Sequence, residues 1–189
     1  MDARIRYTKA AIRTNFLDIL SEKPLDKVTV TEICSKAEIN RATFYKYYDN
    51  PYDLLKQLEQ ERLDAIQEEL TNTHTESLRD FFHVILHDIE DHKDFYKILF
   101  SENGDSEFRR QIFASCYHHN MEIIRQLFPN LDAKYQQWLF LFIANGCNGL
   151  LQEWIIGGMT TPYEEILFFC ETLIDVINNM DVKKQIPNV

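Results

Sequence analysis

The chain has 189 residues, of which 45% are hydrophobic and 13% aromatic, with only 5 glycines and 5 prolines. This composition excludes a disordered or collagen-like chain and favours a well-packed, mostly helical protein. The net charge of -10 is unevenly distributed, because residues 1–48 carry nine basic and six acidic side chains whereas the remaining residues carry eleven and twenty-four. A weakly basic N-terminal segment therefore precedes an acidic body, and a local basic face can still bind a polyanion.

The cysteines and the apolar runs indicate the compartment. The 4 cysteines lie far apart and form no Cys-x-x-Cys pair, so we expect small buried thiols and neither a disulfide framework nor a zinc site. The first residues lack the apolar core of a signal peptide. The longest unbroken apolar run extends from Trp138 to Ala144, well short of the ~18 residues that indicate a membrane span. We therefore predict a cytoplasmic protein.

Hydrophobic periodicity together with start and stop signals predicts an all-α fold of about nine helices. We predict a three-helix domain over residues 1–50 and a helical domain over residues 51–189, which begins with a connecting helix over residues 51–71. The predicted helices have these approximate bounds: 4–22, 30–37, 41–48, 51–71, 76–91, 94–100, 106–128, 131–156 and 161–180.

Two short helices near the N-terminus have clear boundaries. Thr29 and Glu32 have the spacing of a capping box, which begins the first short helix. Residues 38–40 form a tight turn, and Asn40 is placed to cap the second short helix. Asn50 followed by Pro51 marks the start of the long connecting helix. A short helix, a three-residue turn and another short helix predict a helix-turn-helix, which places its second helix in the DNA major groove.

Side chains of these two short helices suit a DNA duplex. Arg41, near the start of the second helix, can donate two hydrogen bonds to guanine O6 and N7. Phosphate donors are expected at the start of the first helix and along the second: Thr29, Thr31, Thr43, Tyr45, Lys46 and Tyr47. Phe44 and Tyr48 are four residues apart and are expected to face the core. The alternative is a plain helical hairpin with tyrosines on an ordinary amphipathic surface.

Residues 28–37 and 39–48 resemble the DNA-binding segment of the TetR/AcrR family of transcriptional regulators. The matching pattern over residues 42–48 is a small residue, Thr, an apolar residue, Tyr, any residue, Tyr or His, and an aromatic residue. The resemblance covers residues 5–55. It implies that Thr43, Tyr45 and Tyr47 contact phosphates.

The same resemblance implies that Arg41 and Ala42 approach the bases of a DNA operator. One position departs from the family pattern, because Pro51 stands where many members carry a phosphate-binding lysine. Its absence predicts weaker non-specific affinity, unless Lys46 and Lys56 compensate for the missing charge.

The C-terminal part, chiefly residues 140–154, loosely resembles a subgroup that includes regulators of dihydroxyacetone-kinase operons. The helix at residues 138–154 is apolar on nearly every side, so it needs cover on every side, and a second subunit can supply it. The resemblance implies a homodimer that forms a four-helix bundle from the last two helices. The predicted interface residues are Phe140, Ile143, Cys147, Leu151, Trp154, Phe168, Phe169 and Ile177.

The family resemblance also implies a small-molecule effector inside the C-terminal domain. Aromatic and amide side chains are the candidates to line its cavity, although such aromatics are also ordinary core residues: Phe81, Phe95, Phe113, Tyr117, Trp138, Phe142 and Asn145. We predict a repressor that the effector releases from its operator. The alternative is a co-activator or protein-interaction module of the same fold.

Metal-dependent and catalytic functions have little support. His83 and His87 lie four residues apart and could share a metal ion, but a solvated helix face explains them better, because no third ligand is placed by the sequence. His118 and His119 point about 100° apart on a helix. No nucleophile motif, phosphate loop or acid pair is present in the sequence. We therefore predict no metal site, no cofactor and no enzymatic activity.

Overall fold

The computed structural model describes residues 3–72, 77–101, 117 and 120–179, and every regular element in these ranges is helical. This confirms the predicted all-α fold. The helices are α1 (Ala3–Glu22), α2 (Val30–Lys36), α3 (Arg41–Tyr45), α4 (Pro51–Asn72), α5 (Leu78–Asp91), α6 (Lys93–Phe100), α7 (120–127), α8 (Ala133–Ile156) and α9 (Tyr163–Asn179), with a 3-10 turn at Leu25–Lys27. Most of the predicted helix over 106–128 lies outside the described residues.

Four predicted helix ends need correction, and α8 and α9 begin at Ala133 and Tyr163, not at residues 131 and 161. α3 ends at Tyr45, not at Tyr48, because the N–H of Tyr47 donates to the carbonyl of Phe44 at 2.9 Å and tightens the last turn. α5 begins at Leu78, not at residue 76. Its N-cap is Ser77, whose hydroxyl oxygen accepts a hydrogen bond of 3.1 Å from the N–H of Asp80.

The chain divides into two compact units, and the first contains the described residues 3–65 and 94–101. Within it, α1 packs on α2 and α2 packs on α3. Its most deeply buried side chains are contributed by α1 to α4, by α6 and by the residues that follow α3: Ile12, Phe16, Leu20, Ile33, Phe44, Tyr48, Leu54 and Leu99. The predicted core positions of Phe44 and Tyr48 are thus confirmed. The predicted domain boundary at residue 50 stays a prediction.

The second unit contains the described residues 66–72, 77–93, 117 and 120–179. α5 packs along α9, and Arg79 Nε lies 3.0 Å from Glu171 Oε1 across this contact. The indole Nε1 of Trp154 donates to the carbonyl of Thr161 at 2.8 Å and fixes the turn between α8 and α9. Since α4 extends over Pro51–Asn72, one continuous helix contributes residues to both units.

α8 has more apolar surface than its own chain covers. By length and composition it is long and apolar enough to cross a membrane, and only 28% of its most apolar stretch is buried. The core helix of a soluble protein passes the same test. The uncovered surface includes Trp138, Leu141 and Phe142.

Candidate nucleic-acid interface

The turn between α2 and α3 is fixed by main-chain hydrogen bonds. The N–H of Ile39 donates to the carbonyl of Cys34 at 3.0 Å, and the N–H of Glu38 donates to Ser35 at 3.4 Å. This pairing is a Schellman motif, with Glu38 at the left-handed position, φ 54°. A glycine is usual at that position because a Cβ is strained there. The motif sets the angle at which α3 leaves α2.

α3 has one buried face and one exposed face. Phe44 and Tyr48 are fully buried, and their ring centroids lie 5.7 Å apart. Arg41, Ala42 and Lys46 are exposed. Tyr45 is 54% exposed. The side chains predicted to contact DNA on this helix therefore point away from the core, and Thr43 and Tyr47 are half-buried at the edge of the same face.

Asn40 begins α3 as predicted. Its side-chain oxygen accepts hydrogen bonds from the N–H of Thr43 at 2.7 Å and from the hydroxyl of Thr43 at 2.9 Å. The only hydroxyl hydrogen of Thr43 is thus directed at Asn40 in the free protein. Donation to a phosphate requires this hydroxyl to rotate away from its cap.

The predicted capping box of α2 is present. The N–H of Glu32 donates to Thr29 Oγ1 at 3.3 Å, and the N–H and hydroxyl of Thr29 donate to Glu32 Oε2 at 3.0 and 2.7 Å. Hydrogen bonds from the ammonium group of Lys23 and from Thr29 lower the pKa of Glu32 to about 2. Glu32 therefore stays negatively charged at the start of α2, and its carboxylate accepts the hydrogen bond that the Thr29 hydroxyl can donate.

Arg41 and Thr31 are in direct contact. The guanidinium Nη2 of Arg41 donates a hydrogen bond to Thr31 Oγ1. Thr31 uses only an acceptor position in this bond, so its hydroxyl hydrogen stays available for a phosphate oxygen. The structure thus brings together a predicted base-reading side chain and a predicted phosphate-binding side chain from two helices.

α1 and α4 hold the residues that follow α3. Gln57 Nε2 donates to the carbonyl of Tyr47 at 3.3 Å and to Asp53 Oδ2 at 2.9 Å. Arg13 Nε donates to the buried hydroxyl of Tyr48 at 3.2 Å, and Arg13 Nη2 donates to Glu61 Oε1 at 2.5 Å. Sequence analysis missed this support, because contacts between residues this far apart leave no local pattern.

Lys9 of α1 is a second residue that sequence analysis missed. Its Nζ lies 5.7 Å from the ring centroid of Tyr47, and Lys46 Nζ lies 5.6 Å from the same centroid. The signal available was the spacing of Arg6, Lys9 and Arg13, which are three and four residues apart and therefore share one face of α1.

The structure describes six of the seven predicted effector residues, and their role stays a prediction. Phe81 is buried, and the half-buried ring of Tyr117 lies 5.0 Å from that of Phe140. Trp138, Phe142 and Asn145 are exposed along one side of α8. Phe95 is buried in the first unit, and Phe113 lies outside the described residues. A groove of about 330 Å³ between α5, α7 and α9 is lined by none of the six described residues of this set.

The predicted dimer-interface residues separate into two groups. Four of them are buried inside the single chain: Phe140, Ile143, Leu151 and Trp154. Cys147 and Ile177 are half-buried, whereas Phe168 and Phe169 are 68% and 51% exposed. Cys147 also shares a hydrogen bond with the buried thiol of Cys170, and this bond, with burial, raises the pKa of Cys147.

His83 and His87 form a stacked pair, with ring centroids 6.2 Å apart and planes 9° apart, and the ring of Tyr163 packs edge-on against both. His87 Nδ1 lies 3.5 Å from Asp91 Oδ2. Within the described ranges, no three His, Cys, Asp or Glu side chains are grouped to hold a metal ion. His118 and His119 lie outside those ranges.

Comparison with known sequences and structures identifies the family. Residues 17–58 match the profile described as "Bacterial regulatory proteins, tetR family", and residues 76–184 match "Transcriptional regulator C-terminal region", a TetR C-terminal family. The chain is 38% identical over 72 residues to the uncharacterized HTH-type transcriptional regulator YxbF of Bacillus subtilis (strain 168). That match spans 38% of this chain and 19% of the length of YxbF.

Solved structures share the fold. A putative TetR-family regulator from Syntrophomonas wolfei superposes with a TM-score of 0.70 at 16% identity, over 93% of this chain and 97% of that chain. A TetR regulator from Streptococcus agalactiae gives 0.65 at 22% identity, over 92% and 96%. The dihydroxyacetone kinase operon activator DhaS gives 0.59 at 18% identity, over 89% and 97%. With a helix-turn-helix at its N-terminus and a family profile over more than half of its length, the chain belongs to the TetR family of transcriptional regulators, which bind DNA operators and are not enzymes.

Proposed function

We propose that the protein is a cytoplasmic, homodimeric repressor that binds a two-fold symmetric operator and is released from it by a small-molecule effector. The observation that carries this proposal is the exposed face of α3, where Arg41, Ala42 and Lys46 have no cover from the protein core. α3 would lie in the major groove, with Arg41 donating to a guanine and Ala42 beside the bases.

The backbone contacts would come from the hydroxyl and ammonium groups around this face: Thr29, Thr31, Thr43, Tyr45, Lys46 and Tyr47. Thr31 and Tyr45 are the strongest of these candidates, because both are exposed and have a hydroxyl hydrogen that no described residue accepts. Thr29 and Thr43 would have to exchange a hydrogen bond within the protein for one to a phosphate. Each phosphate contact positions the protein on the duplex without reading its sequence.

A second copy of the chain would cover the apolar surface of α8 and α9. Phe168, Phe169, Leu173 and Val176 are exposed on α9, and on α8 Gly146 and Gly149 have open space where a Cβ would lie. Glycines on an exposed apolar helix allow a partner helix to approach closely. Two-fold pairing would present two α3 helices to half-sites about one helical turn, ~34–36 Å, apart.

The effector would act through α4. This helix contributes to both units, and its Gln57 and Glu61 bind the residues after α3 directly and through Arg13. A ligand that favours one position of α4 would shift the population of dimers whose two α3 helices fit the operator. Phe81, Tyr117, Trp138, Phe142 and Asn145 remain our candidates in the second unit, and Phe95 and Phe113 complete the predicted set.

The first experiment is selection of binding sites from randomised duplexes by the full chain, followed by mobility shift on the selected duplex. We expect a two-fold symmetric sequence. Arg41→Ala should weaken binding by ~1–3 kcal/mol and relax the preference at one base pair of each half-site. Arg125→Ala, an exposed arginine of α7, is the matched control. An unselected pool, or unchanged binding by Arg41→Ala, would reject sequence-specific recognition through α3.

Repression and effector release need a second experiment. A reporter promoter that overlaps the selected sequence should be less active when the protein is present. Addition of a macromolecule-free metabolite extract should lower operator affinity in the mobility shift. Increased promoter activity would instead identify an activator.

A co-activator or protein-interaction module is kept as a second candidate, because Pro51 supplies no cation and residues 49–189 carry an excess of acidic side chains. Absence of DNA retardation at low salt, together with recovery of one stoichiometric protein partner, would favour it.

A further inference from the structure

We infer that α1 has its own DNA-backbone site, formed by Arg6 and Lys9, which stands in for the cation missing at Pro51. This inference rests on the proposed operator binding and adds a contact on a helix outside the helix-turn-helix. Arg6, Lys9 and Arg13 line one groove of about 500 Å³ together with Ala10, Thr14 and Glu61. The name "α1 basic face" is used below for Arg6 and Lys9.

No carboxylate that the structure describes neutralises the α1 basic face. Glu61 is the one carboxylate among the residues lining the groove, and it is held by Arg13 at 2.5 Å. Neither Arg6 nor Lys9 forms an ion pair with any residue that the structure describes. Arg6 is exposed and Lys9 is half-buried. Two positive charges therefore line an open groove beside an acidic group that already has a partner.

The position of Lys9 connects this face to the predicted interface. Its Nζ lies 5.7 Å from the ring centroid of Tyr47 and 5.9 Å from that of Tyr48, while Lys46 Nζ lies 5.6 Å from the Tyr47 centroid. Ammonium groups from α1 and from the end of α3 thus both lie within 6 Å of the centre of the Tyr47 ring. A phosphate bound by the Tyr47 hydroxyl would lie within about a Debye length, ~8 Å at physiological salt, of Lys9.

A phosphodiester backbone is the ligand that this arrangement suits best. The cations are separate point charges along one helix face and line an open groove, so they match a repeating anion better than a single small one. Residues 49–189 carry thirteen more acidic than basic side chains, and this charge repels DNA. Local cations beside Tyr47 would offset that repulsion where the duplex approaches.

The test measures the salt dependence of DNA binding by the full chain. Operator affinity is recorded from 50 to 200 mM KCl for the wild type, Arg6→Gln, Lys9→Gln and the double variant, on the selected duplex and on a mixed-sequence duplex. Each substitution should reduce the magnitude of the slope of log K against log[KCl] by ~1. The ratio of wild-type to variant affinity should therefore fall about threefold between 50 and 200 mM KCl. The deficit should be the same on both duplexes.

Controls separate a contact from a change in fold or total charge. Lys97→Gln removes one charge from an exposed lysine of α6 in the same unit and should leave the slope unchanged. Lys9→Arg should retain the wild-type slope. Circular dichroism should give equal melting temperatures for all variants within ~2 °C, and a variant that melts lower is replaced by Arg6→Met or Lys9→Met, which also removes the charge but keeps an aliphatic side chain.

The outcomes distinguish this inference from the proposed function. A wild type that binds its operator while Arg6→Gln and Lys9→Gln keep the full slope overturns the α1 site alone. A wild type that binds neither duplex overturns both. A loss confined to the selected duplex also overturns the backbone assignment, because a phosphate contact weakens all sequences equally.

Discussion

Arg13 Nε donates a hydrogen bond to the hydroxyl of Tyr48 at 3.2 Å, although 35 residues separate them along the chain. Tyr48 is buried directly after the helix predicted to enter the major groove, and burial raises the pKa of its hydroxyl, so the group stays neutral. The same guanidinium holds Glu61 of α4. Arg13 is thus the shared partner of α4 and of the residues that follow α3.

We predict that Arg13→Met lowers the free energy of unfolding by about 1–2 kcal/mol, because the buried Tyr48 hydroxyl loses a charged partner while the aliphatic packing remains. Urea denaturation followed by circular dichroism measures this loss. Arg125→Met is the control, since Arg125 pairs with Glu122 on the exposed surface of α7 and should change stability by less than ~0.5 kcal/mol. Equal effects of the two substitutions would show that the Tyr48 contact contributes nothing.

The capping box predicts a pH dependence. The pKa of Glu32 is about 2 in the folded protein, below its ordinary value of 4.5. The unfolded chain therefore binds the proton more tightly, so the stabilisation by this carboxylate is complete above about pH 5 and is lost as the pH falls towards 2. Glu32→Gln removes this titration. We expect wild type to be the more stable protein at pH 6 and the difference to shrink steadily towards pH 3.

The measurement is urea unfolding of both proteins between pH 3 and pH 6. Glu164→Gln, at an exposed acidic position in the first turn of α9, serves as the control for loss of a carboxylate near a helix N-terminus. A wild-type advantage independent of pH would mean that the carboxylate of Glu32 is not what stabilises the start of α2.

Local sequence signals predicted the first unit well. The capping box at Thr29, the caps at Asn40 and Asn50, and the burial of Phe44 all depend on residues within a few positions of each other. The contact of Arg13 with Tyr48 and that of Lys9 with Tyr47 join distant segments. No pattern within one helix encodes such contacts, so the sequence did not predict them.

The second unit was harder for a different physical reason. α8 is apolar on nearly every side, so hydrophobic periodicity in its sequence cannot distinguish an inner face from an outer face. Phe140, which is 4% exposed, and Phe142, which is 73% exposed, are chemically identical and two residues apart. Only the packing of the other helices decides which one is covered, and this explains why half of the predicted interface set lies inside the chain.

We predict that Phe168→Asp shifts the protein from dimer to monomer at micromolar concentration. Phe168 is 68% exposed on α9, and a charge in the centre of an apolar interface leaves an unpaired buried group in the dimer while costing the monomer nothing. Analytical ultracentrifugation gives the mass, and the helical content should be unchanged. A dimer that survives this substitution would move the interface elsewhere.

The matched variant for that experiment is Phe140→Ala. Because Phe140 is buried within its own chain, its loss should lower stability by ~3–5 kcal/mol through the cavity it leaves. The association state of the folded fraction should be unaffected. The pair of variants therefore separates the surface proposed to bind a second copy from the core that supports it.

The left-handed backbone conformation of Glu38 strains the turn of the helix-turn-helix, and a substitution can relieve that strain. Glu38 has φ 54° and an exposed, negatively charged side chain, and it lies in the turn between the two helices predicted to approach DNA. We predict that Glu38→Gly is more stable than Glu38→Ala by about 1 kcal/mol, because only glycine adopts this backbone conformation without a Cβ clash.

Both substitutions at Glu38 remove the same negative charge, so both should strengthen operator binding equally and by more at low salt. Thermal unfolding and mobility shift on the two variants measure these effects separately. If Glu38→Ala were as stable as Glu38→Gly, the Schellman turn would not impose the left-handed conformation. If only Glu38→Gly gained operator affinity, the geometry of the turn, and not the charge of Glu38, would limit DNA binding.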